Sequence, residues 1–381
     1  MSTKIIFGRP DIHEQDIRAA VRVIRSGWVG MGAVTAKLET AFRKYTGARS
    51  ATAVSSGSGG LFLALLANGI GQGDEVITSP VTFPATANEV LHTGAEVRFA
   101  DVDAAGNVDA SKIEQAVTER TKAIIPVHLY GRPCDMDAVM KIARRYKLAV
   151  IEDAAHALGA TYKGRSIGTI GDATVFSLYA TKNITAAEGG IVTTNVRGTD
   201  TMMKLLRSYG ISKTAWTRFG KANRSMPYDT MLPGYNLEIP DVLSALALSQ
   251  LGTYARRLAR RKQIWQQYDR HFSTLPVGLP PAYRDGRHAM HLYTITVDRK
   301  ATGKDRETWV KELARMGIGT GIHFISLHLH AYFRKRYGYA PHDFPNALDL
   351  SRRTLSLPLT SGMTDEEVAR VVRAVRKVCN G

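Results

Sequence analysis

Between residues 51 and 156 the chain alternates short apolar runs with stretches of helical spacing. The segments at 51–56, DEVITSP, AEVRFADVD, KAIIPVHLYG and LAVIEDAAH carry apolar runs of about 4–6 residues, as strands buried on both faces of a mostly parallel sheet do. Between them LFLALLANGI, PATANEVLHTG, ASKIEQAVTER and DMDAVMKIARRY place apolar residues at helical period. Two helices are predicted before the first strand, over 12–26 and 34–46, with Asp11 capping the first and Gly27 ending it. Beyond Gly171, DATVFSLYA and GGIVTTN lie close together, as two neighbouring strands would. Residues 209–235 read as a long, basic, polar loop, a length that is usually functional or interfacial. PDVLSALALSQLGTYARRLARRKQIWQQYDRHF reads as one long helix, followed by a small α+β unit containing MHLYTITVD, RETWVKELARMGI and TDEEVARVVRAVRKV. The expected organisation is an α/β fold with a large domain over 1–240 and a small C-terminal domain over 241–381, without internal repeats.

Composition narrows the function only slightly. The 381 residues include 44% hydrophobic and 22% charged ones, an ordinary globular balance. The formal charge of +17 suits an anionic partner, such as a phosphorylated substrate. The basic residues recur along the chain without a nucleic-acid motif, so a solvated basic surface is the expectation and nucleic acid is not an expected partner. Cys134 and Cys379 are too few for a disulfide framework and show no metal spacing. No apolar stretch is long enough to span a bilayer, and no secretory h-region opens the chain, so the cytoplasm is the expected compartment.

In a parallel sheet the ligand site lies at the carboxyl ends of the strands. Four polar motifs fall there. The first is the glycine- and serine-rich run at 55–60, which leads into a helix. Gly57 and Ser58 let the backbone approach a phosphate at a helix N-terminus; alone, such a run is more often a cap. The second is Glu152-Asp153-Ala154-Ala155-His156, after an apolar run. A carboxylate at Asp153 would keep a pyridine nitrogen protonated, because an opposite charge favours the charged form. His156 could hold that carboxylate or a phenolic oxygen, or pack as a structural histidine. The third runs from Phe176 to Asn183 and on to Glu188-Gly189-Gly190. Lys182 sits between two strand-like segments, where enclosure lowers an amine pKa and makes it a nucleophile toward carbonyls. Ser177 could donate to a phosphate. The fourth is Pro80 to Asn88, where Phe83 could stack on a flat ring or sit in the core.

Together these motifs resemble the DegT-type sugar aminotransferase family, of the aspartate aminotransferase fold (PLP fold type I). The resemblance runs through nearly the whole chain: SGWVGMG, SSGSGGLFLAL, DEVITSPVTFPATAN, PVHLYG, VIEDAAHALGA, GDATVFSLYATKNITAAEGG, GYNLEIPDVLSALALSQL and LSLPLTSGMTDEEV. It implies pyridoxal 5′-phosphate (PLP) as cofactor, with Lys182 as the Schiff-base lysine and Asp153 under the pyridine nitrogen. Phe83 would stack on the ring, His156 would sit by the phenolic oxygen, and Gly57, Ser58 and Ser177 would bind the phosphate. Asn236, in the GYN segment, would reach the phosphate of the neighbouring subunit, which implies a homodimer with shared sites. Three positions depart from the family pattern. Ser58 stands where threonine is frequent, Ala186-Ala187-Glu188 stands where Thr-Gly-Glu is common, and Leu-Glu-Ile-Pro follows the GYN segment.

The implied reaction moves an amino group from L-glutamate to a keto-sugar, best a nucleotide-linked 4-keto-6-deoxyhexose, in amino-sugar, surface-glycan or secondary-metabolite biosynthesis. Candidates for substrate contact are Trp28, His323 and His328, with the basic loop residues Lys213, Arg218, Lys221 and Arg224. His328 and His330 could instead line a strand face; a metal site ranks lowest, since no carboxylate or cysteine sits at ligand spacing. Rivals are a PLP enzyme acting on another cyclic ketone, a sugar dehydratase, and a non-catalytic PLP-binding regulator. The dehydratase branch carries histidine where this chain has Lys182, and no helix-turn-helix extension supports a regulator.

Overall fold

The computed structural model describes residues 4–221 and 226–380. Two helices, α1 (Glu14–Arg25) and α2 (Ala33–Thr46), precede the first strand, β1 (Ser50–Val54). Then α3 (Gly57–Ala67), β2 (Glu75–Thr78), α4 (Pro84–His92), β3 (Glu96–Phe99), α5 (Ala110–Ala116), β4 (Thr121–Ile125), α6 (Met136–Tyr146) and β5 (Ala149–Asp153) follow in strict alternation. Local signals set the ends. Ser56 caps α3 by accepting from the Gly59 N–H, Asp135 caps α6 through the Ala138 N–H, and Gly47, at φ +80°, ends α2 in the left-handed region.

A short antiparallel pair, β6 (Thr161–Tyr162) and β7 (Arg165–Ser166), leads to β8 (Ala173–Ser177) and β9 (Gly190–Thr194). The central sheet has seven strands in the order β1-β9-β8-β5-β4-β2-β3. Only β9 runs against its neighbours. Alternate residues divide the core between the two faces. Ala53, Ile77, Ile124, Val150 and Phe176 pack on one side, with α2 and α6. Val54, Val76, Ile125, Ile151 and Val175 pack on the other, with α3 and α4. This two-sided burial is why the strands read as continuous apolar runs.

Helix α7 (Thr199–Arg207) is followed by the basic loop, which holds a π-helical turn at Trp216–Lys221. The expected single long helix is two: α8 (Asp241–Gly252) and α9 (Tyr254–Phe272), broken at Thr253. The break has a packing cause. Helix α8 lies against α1 and α2 on the large sheet's side, while Ile264, Trp265, Tyr268 and Phe272 of α9 enter a separate core. That core also takes β10 (Val277–Gly278), β12 (Tyr293–Val297), α11 (Arg306–Arg315), β13 (Thr354–Leu357) and α14 (Asp365–Asn380), with β11 (Gly286–Arg287) paired back onto β6. The remaining helices are α10 (Arg299–Thr302), α12 (Ala331–Tyr337) and α13 (Pro345–Arg353).

Asp11 does not cap α1. The helix opens at His13, whose N–H donates to Asp16, and Asp11 instead pairs with Arg257 at 2.8 Å. Arg257 also meets Asp16 at 3.0 Å, so one buried guanidinium fastens the N-terminal segment to α9. Asp241 plays the capping role for α2 from a distance, accepting from the backbone N–H groups of Gly32, Val34 and Thr35.

Candidate active site

Strands β5 and β8 are parallel neighbours, and their carboxyl ends deliver Asp153 and Ser177 to the same edge of the sheet. A cavity of about 740 Å³ opens there, lined by Gly57, Ser58, Phe83, Asp153, His156, Ser177, Lys182 and His323. The residues named, spread from Gly57 to His323, therefore converge on one enclosure, within the range of volumes that ligand sites occupy.

Asp153 is buried and rigid. Its backbone N–H donates to Pro126 and its carbonyl accepts from His128. Its carboxylate accepts from Thr86 Oγ1 at 2.7 Å and from the Ala155 N–H at 3.1 Å. Since the Thr86 proton is committed to Asp153, Thr82 must donate to Thr86, at 2.7 Å. Thr86 went unnoticed in the sequence; its only signal is its place four residues after Thr82 in the first turn of a helix.

Lys182 is half-buried in the turn after β8. Burial lowers its amine to about 8, against the opposing pull of Asp153. An amine in that range supplies an appreciable free-base fraction near neutral pH. Five histidines line the cavity among the described residues, and burial strongly perturbs three of them, His156, His291 and His323. Burial, with the charge of Lys182 adding to it, holds His156 and His291 well below the ordinary histidine range and His323 at about 4. All three are neutral at pH 7. His156 Nδ1 accepts from the Tyr130 N–H at 3.3 Å, which leaves the proton on Nε2. His291 Nδ1 faces Asn183 Oδ1 at 2.9 Å. Asn183 spends its Nδ2 on Ala289 O and Tyr254 Oη, so the shared proton sits on His291 Nδ1. His291 was missed in the sequence because it opens the second core, more than a hundred residues from Lys182.

The lining fits PLP. Phe83 is 60% exposed and presents its ring to the cavity, an unusual cost for a phenylalanine outside a core and suited to covering a flat heterocycle. Gly57 begins α3 where a Cβ would come within 3.1 Å of Ser177 Cβ, so the bare backbone there leaves room that a phosphate would need. The first N–H groups of α3 have no intrahelical partners, and Ser56 Oγ takes only that of Gly59.

The profile of the DegT/DnrJ/EryC1/StrS aminotransferase family matches residues 10–376. The chain belongs to this aminotransferase family. SpsC of Bacillus subtilis, a spore coat polysaccharide biosynthesis protein, is 45% identical over 378 residues, covering 98% of this chain and 97% of SpsC. Spr1654 from Streptococcus pneumoniae in its PLP form superposes with a TM-score of 0.91 at 31% identity, over 99% of this chain and 98% of that one. DesI, solved in the presence of its TDP-sugar product, gives a TM-score of 0.89 at 30% identity, over 100% and 94%. As a member of the DegT/DnrJ/EryC1/StrS family, the chain is a PLP-dependent aminotransferase of the sugar aminotransferase group.

Some sequence candidates lie outside the cavity. Trp28 packs edge-on against Trp216, and its Nε1 donates to Met31 O. His328 is buried away from the cavity lining, bonded to Ser326 Oγ and Pro341 O. His328 and His330 do not share a strand face, because Leu327–Leu329 is a 3-10 turn leading into α12. His330 does reach the cavity. No group of three or more metal-ligating side chains occurs among the described residues. Of the basic loop residues, Arg218 lies 4.2 Å from the Tyr228 ring centroid; Arg224 and the Lys221 side chain lie outside the described residues. Asn236 is exposed and does not line this chain's own cavity. Among the described residues no helix is long and apolar enough to cross a membrane.

Proposed function

We propose that the enzyme transfers the amino group of L-glutamate to the keto carbon of a nucleotide-linked 4-keto-6-deoxyhexose. The observation that carries this reading is the convergence of Lys182, Asp153 and His156 on a cavity larger than a cofactor ring alone would fill. The TDP-sugar product of DesI supports the choice of acceptor class.

PLP bound here supplies an electron sink that makes the proton on the amine-bearing carbon removable. The chain supplies the rest. Asp153, held by Thr86 and Ala155, would keep a proton on the ring nitrogen. His156 would offer its Nε2–H to the phenolic oxygen, and Phe83 would cover one ring face. The N-terminus of α3 at Gly57 and Ser58, with Ser177, would hold the phosphate. Lys182 would hold the cofactor through its amine and, as a free base, would be the group placed to take and return the substrate proton. In the net exchange, glutamate and the keto-sugar would become 2-oxoglutarate and the amino-sugar.

Asn236 completes the phosphate site of a second copy in this reading, so the working unit is a homodimer. The exposed Tyr209, Tyr235 and Met231 beside it offer apolar surface for such a contact. The test is the visible spectrum of the PLP-loaded enzyme before and after L-glutamate, for wild type and Lys182→Ala. Conversion to the aminated cofactor in wild type, absent in Lys182→Ala, is expected; reversal by a nucleotide keto-sugar and not by a free cyclic ketone then identifies the acceptor. A wild-type spectrum indifferent to glutamate overturns the donor.

A further inference from the structure

This inference rests on the reading of the acceptor as a sugar. Among the described residues two carboxylates line the cavity, Asp153 and Glu188. Asp153 is occupied by Thr86 and Ala155. Glu188 is exposed, and no donor or cation among the described residues meets its side chain. It also stands apart from the acid–base pair, since the charge acting on the Lys182 amine is that of Asp153.

The backbone holds Glu188 in place at a cost. Ala187, just before it, has φ +68°, a left-handed conformation that suits glycine. Gly189, just after it, has φ +157°, and a Cβ there would lie 2.9 Å from Ile239 Cδ1. Hydrogen bonds pin both sides: the Ala187 N–H donates to Thr185 Oγ1 at 2.8 Å, and Leu178 N–H to Gly189 O at 2.8 Å. Strained backbone persists where its surroundings over-determine it, and it clusters at ligand clamps.

The two substrates make opposite demands on such a group. A carboxylate only accepts, and its two oxygens suit a pair of hydroxyl donors. The other polar side chains of the cavity include the donors Lys182, His156 and Ser177, so among the described residues Glu188 is the carboxylate left open to hydroxyl groups of a sugar, Asp153 being taken by Thr86 and Ala155. Glutamate carries no hydroxyl and two carboxylates, which Glu188 repels. We propose that Glu188 is a specificity-determining residue that accepts hydrogen bonds from hydroxyl groups of the sugar acceptor.

The test compares PLP-loaded wild type, Glu188→Gln and Glu188→Ala. Calorimetry measures the affinity of dTDP-glucose and UDP-glucose, which carry a hexose but no keto group, against dTDP and UDP. The hexose advantage of the better pair is expected to fall about tenfold in Glu188→Ala, the loss of a charge-assisted bond, and less in Glu188→Gln, which still accepts. The KM for glutamate in the first half-reaction should not rise. An unchanged hexose advantage overturns the proposal, as does its absence in wild type, or an equal loss for nucleotide, hexose and glutamate together. The two readings fail separately: inert glutamate in wild type sinks the donor assignment, whereas active glutamate with a retained hexose advantage in Glu188→Ala sinks only the role of Glu188.

Discussion

The proposed role of Lys182 makes a quantitative demand on how the ligand-free protein takes up its cofactor. Only the free base attacks the aldehyde of PLP. With the amine at about 8, roughly one molecule in ten is reactive at pH 7; at the ordinary lysine value of 10.5 it would be roughly one in three thousand. Burial thus contributes about 300-fold to the reactive fraction, equivalent to about 3 kcal/mol. Asp153 works against burial, because its negative charge favours the ammonium form. The uptake rate, followed by absorbance at fixed PLP between pH 6.5 and 10, should rise with an apparent midpoint near 8 and vanish in Lys182→Ala. In Asp153→Asn the opposing charge is gone, so the midpoint must move down while binding itself weakens. A midpoint near 10 in wild type, or an upward move in Asp153→Asn, would refute the argument that desolvation activates this lysine.

Three further outcomes test the scaffold. Ala187→Gly removes a side chain from a left-handed position and should stabilise the protein by about 1 kcal/mol in urea denaturation, strain relief outweighing the added chain entropy; a loss of stability would show that the alanine methyl packs usefully. Arg257→Met strands the buried Asp16 and its neighbour Asp11 without their cation, and should cost about 3–5 kcal/mol in the same assay, with Arg257→Met/Asp16→Leu recovering part of it. His288 and His291 are buried with pKa values lowered by burial, His288 to about 3. The unfolded chain takes up their protons below about 6.5 while the folded chain does not, so stability falls as pH falls. Each contributes about 1.4 kcal/mol per pH unit below 6.5, and denaturation curves that coincide at pH 7.0 and 5.5 would contradict this.

Much of the site was legible because its chemistry is carried by short local patterns at strand ends. Asp153 follows an apolar run that can only be an interior strand. Lys182 lies between two such strands, and Gly57 and Ser58 stand before an apolar helix. The resemblance then joined these fragments to one cofactor, and the cavity does bring them together. Thr86, His291 and Asn183 were not legible, because each acts through a partner supplied by a different part of the chain: Asp153 for Thr86, and each other for His291 and Asn183. Trp28 and His328 illustrate the converse. Both are polar-capable side chains near informative motifs, yet packing directs Trp28 against Trp216 and buries His328 among Ser326, Pro341 and Phe344.

The sequence by itself determined the alternation of strands and helices, the two-sided burial of the sheet and the residue types at the strand ends, because periodicity and strand-end polarity are local properties. Tertiary structure alone decided where the predicted long helix breaks, since α8 and α9 serve different cores. It moved Asp11 from a helix cap to the buried Arg257, whose charge needs it more. It also set the proton positions on His156 and His291, through donors and acceptors far away in the chain. Pattern is written residue by residue; charge, desolvation and proton placement depend on which distant groups the fold brings within a few ångströms.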